Sequence, residues 1–360
     1  MGPNSQYRHL SLPTGTETLQ LQEAARHRRI IRTLEDLFAR WGYDPAETAM
    51  VDYFDVYRRL LDDRDIAQVY RAVDRQGEVL ALRADTTLFL ARQLGMHLTE
   101  DDLPVRVFYS DQIVRAEDRL DISHNEYQQA GIELVGVPGI EGDAEVLMLA
   151  CEALDGLKRE DAVLHLGSHA VIRAAAGHAG VSEQQLESLV RRRLFGSELG
   201  DTELEPALQQ LLSFIGPPEG LAALLARGDV PQEVAQAAGH LVELSGLLRA
   251  MVPKAWMERI RVDLSELGAY HYYTGIAFSA YLPWTNAAVL RGGRYDQLLA
   301  AFGFEAASVG FSIFTRKLPG DVLADTPESV PARTAPGSSL EERVSQARRM
   351  HASGQRSQLS

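Results

Sequence analysis

The chain has 360 residues, a net charge of −14, 45% hydrophobic residues and 24% charged residues. That length buries a substantial core in one large domain or two ordinary ones, and the composition is that of a globular protein, which excludes the disordered and fibrous classes. The acidic balance argues against a general affinity for nucleic-acid backbone, and the single cysteine, Cys151, excludes an intramolecular disulfide and a cysteine-based zinc site.

No apolar run reaches membrane-spanning length and the N-terminus lacks a signal-peptide core, so a reducing cytoplasm is the expected location. Residues 1–16 read as an extended lead-in, with Pro3, Pro13 and Gly15. From Thr18 to Trp41 the spacing of Ile30, Ile31, Leu34, Leu37, Phe38 and Trp41 predicts a helix stopped by Gly42. Its opposite face carries Arg28, Arg29, Arg32, Glu35 and Asp36 and reads as solvated. "QVYRAVDRQGEVLALRADTTLFLARQLG" reads as strand, turn at Gly77, strand and then a helix opened by Thr86 and Thr87. "PVRVFYSDQIVRAE" alternates as two strand segments, and "NEYQQAGIELVG" adds a third, bounded by Gly136. "GDAEVLMLACEALDGL" is an amphipathic helix in which Cys151 is a buried structural thiol. "AVLHLGSHAVIRAAAGHAG" reads as a strand, a turn at Gly167 and a helix closed by Gly177 or Gly180.

Residues 182–250 are predominantly helical and lie between two strand-rich regions, which makes them an inserted subdomain. Strands resume at "ERIRVDLSEL" and continue through "GAYHYYTGIAFSAY", "NAAVLRGG" and "SVGFSIFTRKL", with a helix at "YDQLLAAFG". In "YHYY" aromatic enrichment favours a strand whose alternation sends Tyr270 and Tyr272 to one face and His271 and Tyr273 to the other. After Leu318 the chain turns rich in Pro, Ser and Gly, so 319–360 is expected to be a disordered tail with a short polar helix at most. The boundaries are therefore 1–16, a core in two parts (17–181 and 251–318), the insertion 182–250 and the tail 319–360. Hairpin-like strand pairs with helices set aside predict an α+β fold with a mostly antiparallel sheet.

Three strand-rich segments concentrate polar groups: "LRADTT" (82–87), residues 114–136, and "AYHYYTG" with "RGGRYD" (291–296). Arg115 and Glu117 share a strand face, as do Gln129, Gly131 and Glu133. Gly131 is expected to leave open space above the sheet. That arrangement suits a small zwitterion, since a carboxylate and a carboxamide receive an ammonium while an arginine forks onto a carboxylate. An ordinary solvent-facing sheet surface fits the same spacing. Gly292-Gly293 with Arg294 reads as a turn, without a Walker or dinucleotide fingerprint around it. The ten histidines are scattered with no HExxH pair, so no metal site is expected. His165 and His169 stand at the i, i+4 interval but are separated by Gly167, and read as satisfied core or surface histidines.

Taken together, these segments resemble the catalytic core of histidyl-tRNA synthetase, a class II aminoacyl-tRNA synthetase. More closely, they resemble its noncatalytic paralogue, the regulatory subunit of ATP phosphoribosyltransferase. "LPTGTETLQLQEAARHRRIIRTLEDLFARWGYD" is similar to the family's opening segment and first helix, and "LRADTT" to its Leu-Arg-Pro-Glu/Asp-x-Thr turn. "VRAED" and "NEYQQAGIELVG" resemble the strands of motif 2, "YHYYTGIAFSAY" the histidine-specific segment, "RGGRYDQLLAAFG" the Gly-Gly-Arg-Tyr-Asp segment, and "SVGFSI" the start of motif 3. The resemblance covers roughly residues 10–318. It implies that Asp85, Thr87, Gln129 and Glu133 surround a histidine amino group, that Arg115 meets its carboxylate, and that Tyr272, Tyr273 and Tyr295 line the imidazole side.

The departures fall on the adenylation apparatus. The arginine that opens the histidine-specific segment is matched by Gly268, its acidic residue by His271, and two motif 2 arginines by Asp118 and Ser123. Arg316-Lys317 replaces the motif 3 Glu-Arg pair, and Glu47-Thr48-Ala49 stands in the motif 1 proline region. Nothing after Leu318 matches an anticodon-binding domain. The resemblance therefore implies a noncatalytic subunit with no catalytic residues and no cofactor. It would form a homodimeric core in a hetero-octamer with a short-form catalytic subunit, activating the first step of histidine biosynthesis and helping mediate feedback by histidine. Neither tRNA nor a membrane is an expected partner. A divergent histidyl-tRNA synthetase-like enzyme, a free histidine or amino-acid sensor, and a purely structural scaffold that binds no amino acid are the alternatives.

Overall fold

The computed structural model describes residues 12–13, 15–116, 125–193, 204–268, 272–283, 285, 287–318, 322–323, 333–336, 338–353 and 357–358. The first helix, Leu21–Arg40, buries Ile30, Leu34, Leu37 and Phe38, the stripe its sequence spacing dictates. Phe38 sets its ring 6.1 Å from Phe108 and 5.9 Å from Phe311, pinning the helix to the main sheet. Trp41 ends this helix exposed, its indole donating to Glu152. On the polar face Arg28, Arg32 and Asp36 are exposed, while Arg29 and Glu35 are half-buried. Among the described residues no helix is long and apolar enough to cross a membrane.

The sheet has nine strands, in the spatial order Asp44–Pro45, Val105–Val114, Glu126–Val135, Ser308–Phe314, Leu290–Arg294, Ile276–Tyr281, Val163–Ser168, Ile260–Asp263 and Ile215–Gly216. Pairing is antiparallel except at Asp44–Pro45 with Val105–Val114 and at Val163–Ser168 with Ile260–Asp263. A smaller antiparallel sheet joins Val51–Tyr53, Val79–Leu82 and Arg71–Val73. Between the last two, Gly77 turns at φ +90° while the Asp74 carboxylate accepts the amides of Gln76 and Glu78.

Several local expectations are revised. Residues 105–114 form one continuous strand, not two. The expected turn at Gly167 is absent: Val163–Ser168 runs straight into helix His169–Ala179, because a Cβ at Gly167 would overlap the Glu266 carbonyl that lies against it. That helix closes at Gly180, in the left-handed region at φ +67°. Gly292 and Gly293 are strand, not turn, since their missing side chains admit the rings of Phe278 and Tyr273. Within 182–250 the helices include Glu183–Arg192 and Gln232–Met251, and the short strand Ile215–Gly216 joins the edge of the main sheet. Gln232–Met251 buries Val234, Ala238, Leu241, Leu244 and Leu248 against the helices Gly139–Gly156 and His169–Ala179.

Residues up to Leu318 form one compact unit and 319–360 a second. In the second, where a short polar helix at most is expected, Leu340–Ala352 is a helix of 13 residues opened by a capping box: Ser339 accepts the amide of Glu342, whose carboxylate accepts the Ser339 amide.

Candidate functional site

Register builds the site. Gln129, Gly131 and Glu133 sit opposite Phe314, Ser312 and Gly310 on one neighbouring strand and opposite Asp111, Tyr109 and Val107 on the other. Directly paired residues share a sheet face, so this row of polar groups projects together. The next strand extends the face with Arg291 opposite Ser312 and Gly293 opposite Gly310.

The helix Thr86–His97 starts over this face. Asp85 is its N-cap: Oδ1 accepts the Leu88 amide at 3.3 Å, while Oδ2 accepts from Gln129 Nε2 at 3.1 Å and Arg115 at 3.3 Å. Gln129 Oε1 accepts the Thr86 amide at 3.0 Å, so one carboxamide ties helix start to sheet. Arg115 also donates to the Ala84 carbonyl at 2.7 Å. Burial pushes the Asp85 carboxyl upward, opposed by the Arg115 charge and by its hydrogen bonds. Asp85→Ala is expected to cost on the order of 3 kcal/mol, because it removes a cap and unpairs a buried guanidinium. Urea unfolding measures this, and Asp85→Asn should lose less than half as much.

Glu133 lies at the floor, 3% exposed. Its Oε1 accepts from Thr87 Oγ1 at 2.7 Å and from the Tyr109 hydroxyl at 3.4 Å, whereas Oε2 is buried without a hydrogen-bond partner. Burial pushes this carboxyl well above the usual range, and the Asp85 charge adds to the shift. Gly310 is glycine because a Cβ there would overlap Glu133 Oε2. Gly131 is likewise closed over, by the Phe311 carbonyl and the Tyr109 hydroxyl, so the open space expected above it does not exist.

The aromatic wall comes from Tyr272, Tyr273 and Tyr295, with ring centroids 5.1 Å apart for Tyr272–Tyr273 and 5.6 Å for Tyr272–Tyr295. Tyr272 and Tyr273 precede the strand Ile276–Tyr281, so strand alternation does not separate them and both rings line one cavity. Burial raises both phenols, which therefore stay neutral. The Tyr295 hydroxyl is buried without a partner. Asp85, Thr87, Gln129, the three tyrosines, Arg291, Gly292, Gly310, Ser312 and Phe314 enclose a cavity of about 10 Å³, room for roughly one water. An amino acid enters it only by displacing lining side chains.

The eight residues singled out from sequence thus meet around one point, Arg115 from behind Asp85 and Glu133 from beneath Thr87. Tyr109, Ser312 and Arg291 were missed. Tyr109 bonds Ser312 at 2.7 Å and Thr87 at 3.3 Å. Glu117, Asp118, Ser123, Tyr270 and His271 lie outside the described residues. Gly268 sits at φ +67°, and a Cβ there would overlap the Tyr273 ring. Lys317 places its ammonium 4.8 Å from the Tyr127 ring and 5.1 Å from that of Phe314. His165 and His169 are satisfied by Asp263 and by the Leu267 carbonyl. Cys151 is buried, which raises its thiol and leaves it unreactive. No group of three or more His, Cys, Asp or Glu among the described residues is placed to hold a metal ion.

A largely antiparallel sheet with a polar, Tyr-walled pocket on one face and a capped helix above it defines a class II aminoacyl-tRNA synthetase-like protein. The histidyl-tRNA synthetase model matches residues 15–318, and the chain belongs to that family. Within it, the chain is 31% identical over 334 residues to the ATP phosphoribosyltransferase regulatory subunit of Moorella thermoacetica, covering 91% of this chain and 85% of that protein. To the protein of the same name from Symbiobacterium thermophilum it is 33% identical over 319 residues, covering 85% and 78%. Its fold matches the ATP phosphoribosyltransferase regulatory subunit/histidyl-tRNA synthetase of Bacillus halodurans C at a TM-score of 0.81, with 23% identity over 96% of this chain and 91% of that one. It matches the histidyl-tRNA synthetase of Nostoc sp. PCC 7120 at 0.77, with 19% identity over 97% and 85%.

Proposed function

We propose that this chain is a regulatory subunit of ATP phosphoribosyltransferase. It activates a short-form catalytic subunit in the cytoplasm and carries feedback by histidine in the first step of histidine biosynthesis. The observation that carries this reading is the contrast within one site: the polar pocket is assembled, while Gly268, packed under Tyr273, stands at the position matching the family's adenylation arginine. A preorganised cation there supplies charge stabilisation to a reacting carboxylate and phosphate, and glycine supplies none. The chain binds the amino acid without activating it.

Regulation then follows from linkage. Histidine shifts activity only if it binds the active and inhibited assemblies with different affinity. A pocket of about 10 Å³ must open to admit an amino acid, and in this reading its closed and open forms are the two states. In this reading the chain dimerises through its synthetase-like core and assembles with catalytic subunits into a hetero-octamer.

The test is the ATP phosphoribosyltransferase activity of a short-form catalytic chain from the same organism, with and without this protein, then with histidine added. Activation of at least tenfold that histidine suppresses is the expected result. Absence of both activation and co-elution overturns the reading, and histidine-dependent pyrophosphate exchange by this chain alone would restore the enzyme alternative.

A further inference from the structure

We infer that Arg291, not Arg115, is the residue that receives the carboxylate of an amino acid bound in the pocket; this rests on the function proposed above. The resemblance assigns that role to Arg115, but Arg115 is spent within the protein. Its Nε donates to the Ala84 carbonyl, and its Nη2 pairs with Asp85, the cap of helix Thr86–His97. Turning that guanidinium toward a ligand would take from Asp85, which is 3% exposed, its charged partner and leave it the neutral Gln129 and Leu88 donors.

Arg291 has the opposite circumstances. It lines the cavity from the central strand Leu290–Arg294, directly opposite Ser312, in the row that continues through Gly131 to Tyr109. It is half-buried, and its guanidinium makes no hydrogen bond or ion pair among the described residues. Its one close partner is the Phe314 ring, 6.0 Å from the guanidinium carbon. A half-buried, uncommitted guanidinium on a strand is a poised receptor for a planar anion, which it binds through two parallel N–H donors.

The spacing also fits a zwitterion. Arg291 stands two strands across from Gly131, about 10 Å between backbones, and Glu133 lies one step further along Gly131's strand. An arginine side chain is long enough to cover much of that span, and a zwitterion that displaces the lining side chains would lie between Arg291 and Glu133, whose Oε2 is unpartnered. The cavity thus presents one uncommitted cation, Arg291, with the unpartnered Glu133 Oε2 beneath Thr87, while Asp85 and Gln129 frame it and Arg115 backs Asp85.

Calorimetric titration of the full chain with L-histidine and with L-histidinol, which lacks the carboxylate, tests this. The unaltered chain is expected to bind histidine at least tenfold more tightly than histidinol. Arg291→Gln should erase that ratio by weakening histidine alone, and Arg291→Lys should restore part of it. Since the Arg291 guanidinium makes no hydrogen bond among the described residues, the variant's melting temperature should match the parent's, which checks folding. A histidine-to-histidinol ratio unchanged in Arg291→Gln overturns the assignment while leaving the pocket intact. Binding of neither compound by the unaltered chain overturns the functional reading itself.

Discussion

Arg294→Met is expected to destabilise the protein by about 3–5 kcal/mol, among the largest effects of any single substitution. Arg294 is 5% exposed and its partner Asp143 is 1% exposed. The guanidinium donates to Asp143 at 2.7 Å, to Asp296 at 2.9 Å and to the Gly139 carbonyl at 2.8 Å, so it joins the sheet to the start of helix Gly139–Gly156. Methionine fills the volume but leaves the Asp143 carboxylate buried with His240, 3.1 Å from its Oδ2, as its remaining partner. Thermal unfolding should fall by roughly 5–15 °C for a unit of this size. Asp143→Leu combined with Arg294→Met should recover most of the loss, because no buried charge is then left unpaired. A single variant within about 1 kcal/mol of the parent would show that the pair is not a keystone of the core.

Binding of histidine should release a proton from Glu133, and Glu133→Gln should abolish that release. The folded carboxyl lies well above its unfolded value of 4.5, chiefly because it is buried. The sign follows from proton counts. Above pH 4.5 the unfolded chain has lost a proton that the folded chain keeps, so the group's contribution to stability is complete below 4.5 and is lost as pH rises toward the folded value. Glutamine has no proton to lose, so as pH rises above 4.5 the stability of Glu133→Gln should gain on that of the parent. An ammonium seated against Oε2 favours the carboxylate, which expels the proton. Calorimetry in two buffers of different ionisation enthalpy counts it. The same variant should lose about 10- to 100-fold in histidine affinity, the scale of one charge-assisted hydrogen bond. Binding heats that do not depend on the buffer would mean that Glu133 is already ionised in the closed pocket.

The parts of the fold legible in the sequence are those set by local chemistry. The Thr86 helix start and the Gly77 turn follow from residue types within a few positions, and the strand Glu126–Val135 is read directly from its apolar pattern. At Tyr272 and Tyr273 the strand expectation fails because their conformation is decided from afar. Tyr273 packs where Gly268 and Gly293 lack side chains, and that contact overrides the strand preference of tyrosine. Gly292-Gly293 looked like a turn for the same reason: a glycine chosen for close approach is indistinguishable, in sequence, from one chosen for its dihedral angles. Tyr109, Ser312 and Arg291 were illegible because each is a single polar residue on a strand, and only the register between non-adjacent strands brings them to one face. Of the eight residues carried over by family resemblance, six line one cavity and Arg115 and Glu133 bond to two of those six, a grouping that no spacing rule alone would have made.

Gly268 bears on how the site can change. Its backbone is at φ +67°, where a side chain is strained, and the Tyr273 ring occupies the space a Cβ would need. An arginine placed at this position would therefore first evict Tyr273, a wall of the pocket. Seating any side chain here requires the backbone and the ring to be remodelled together. A single substitution at position 268 therefore alters the pocket wall before it adds any group to the site.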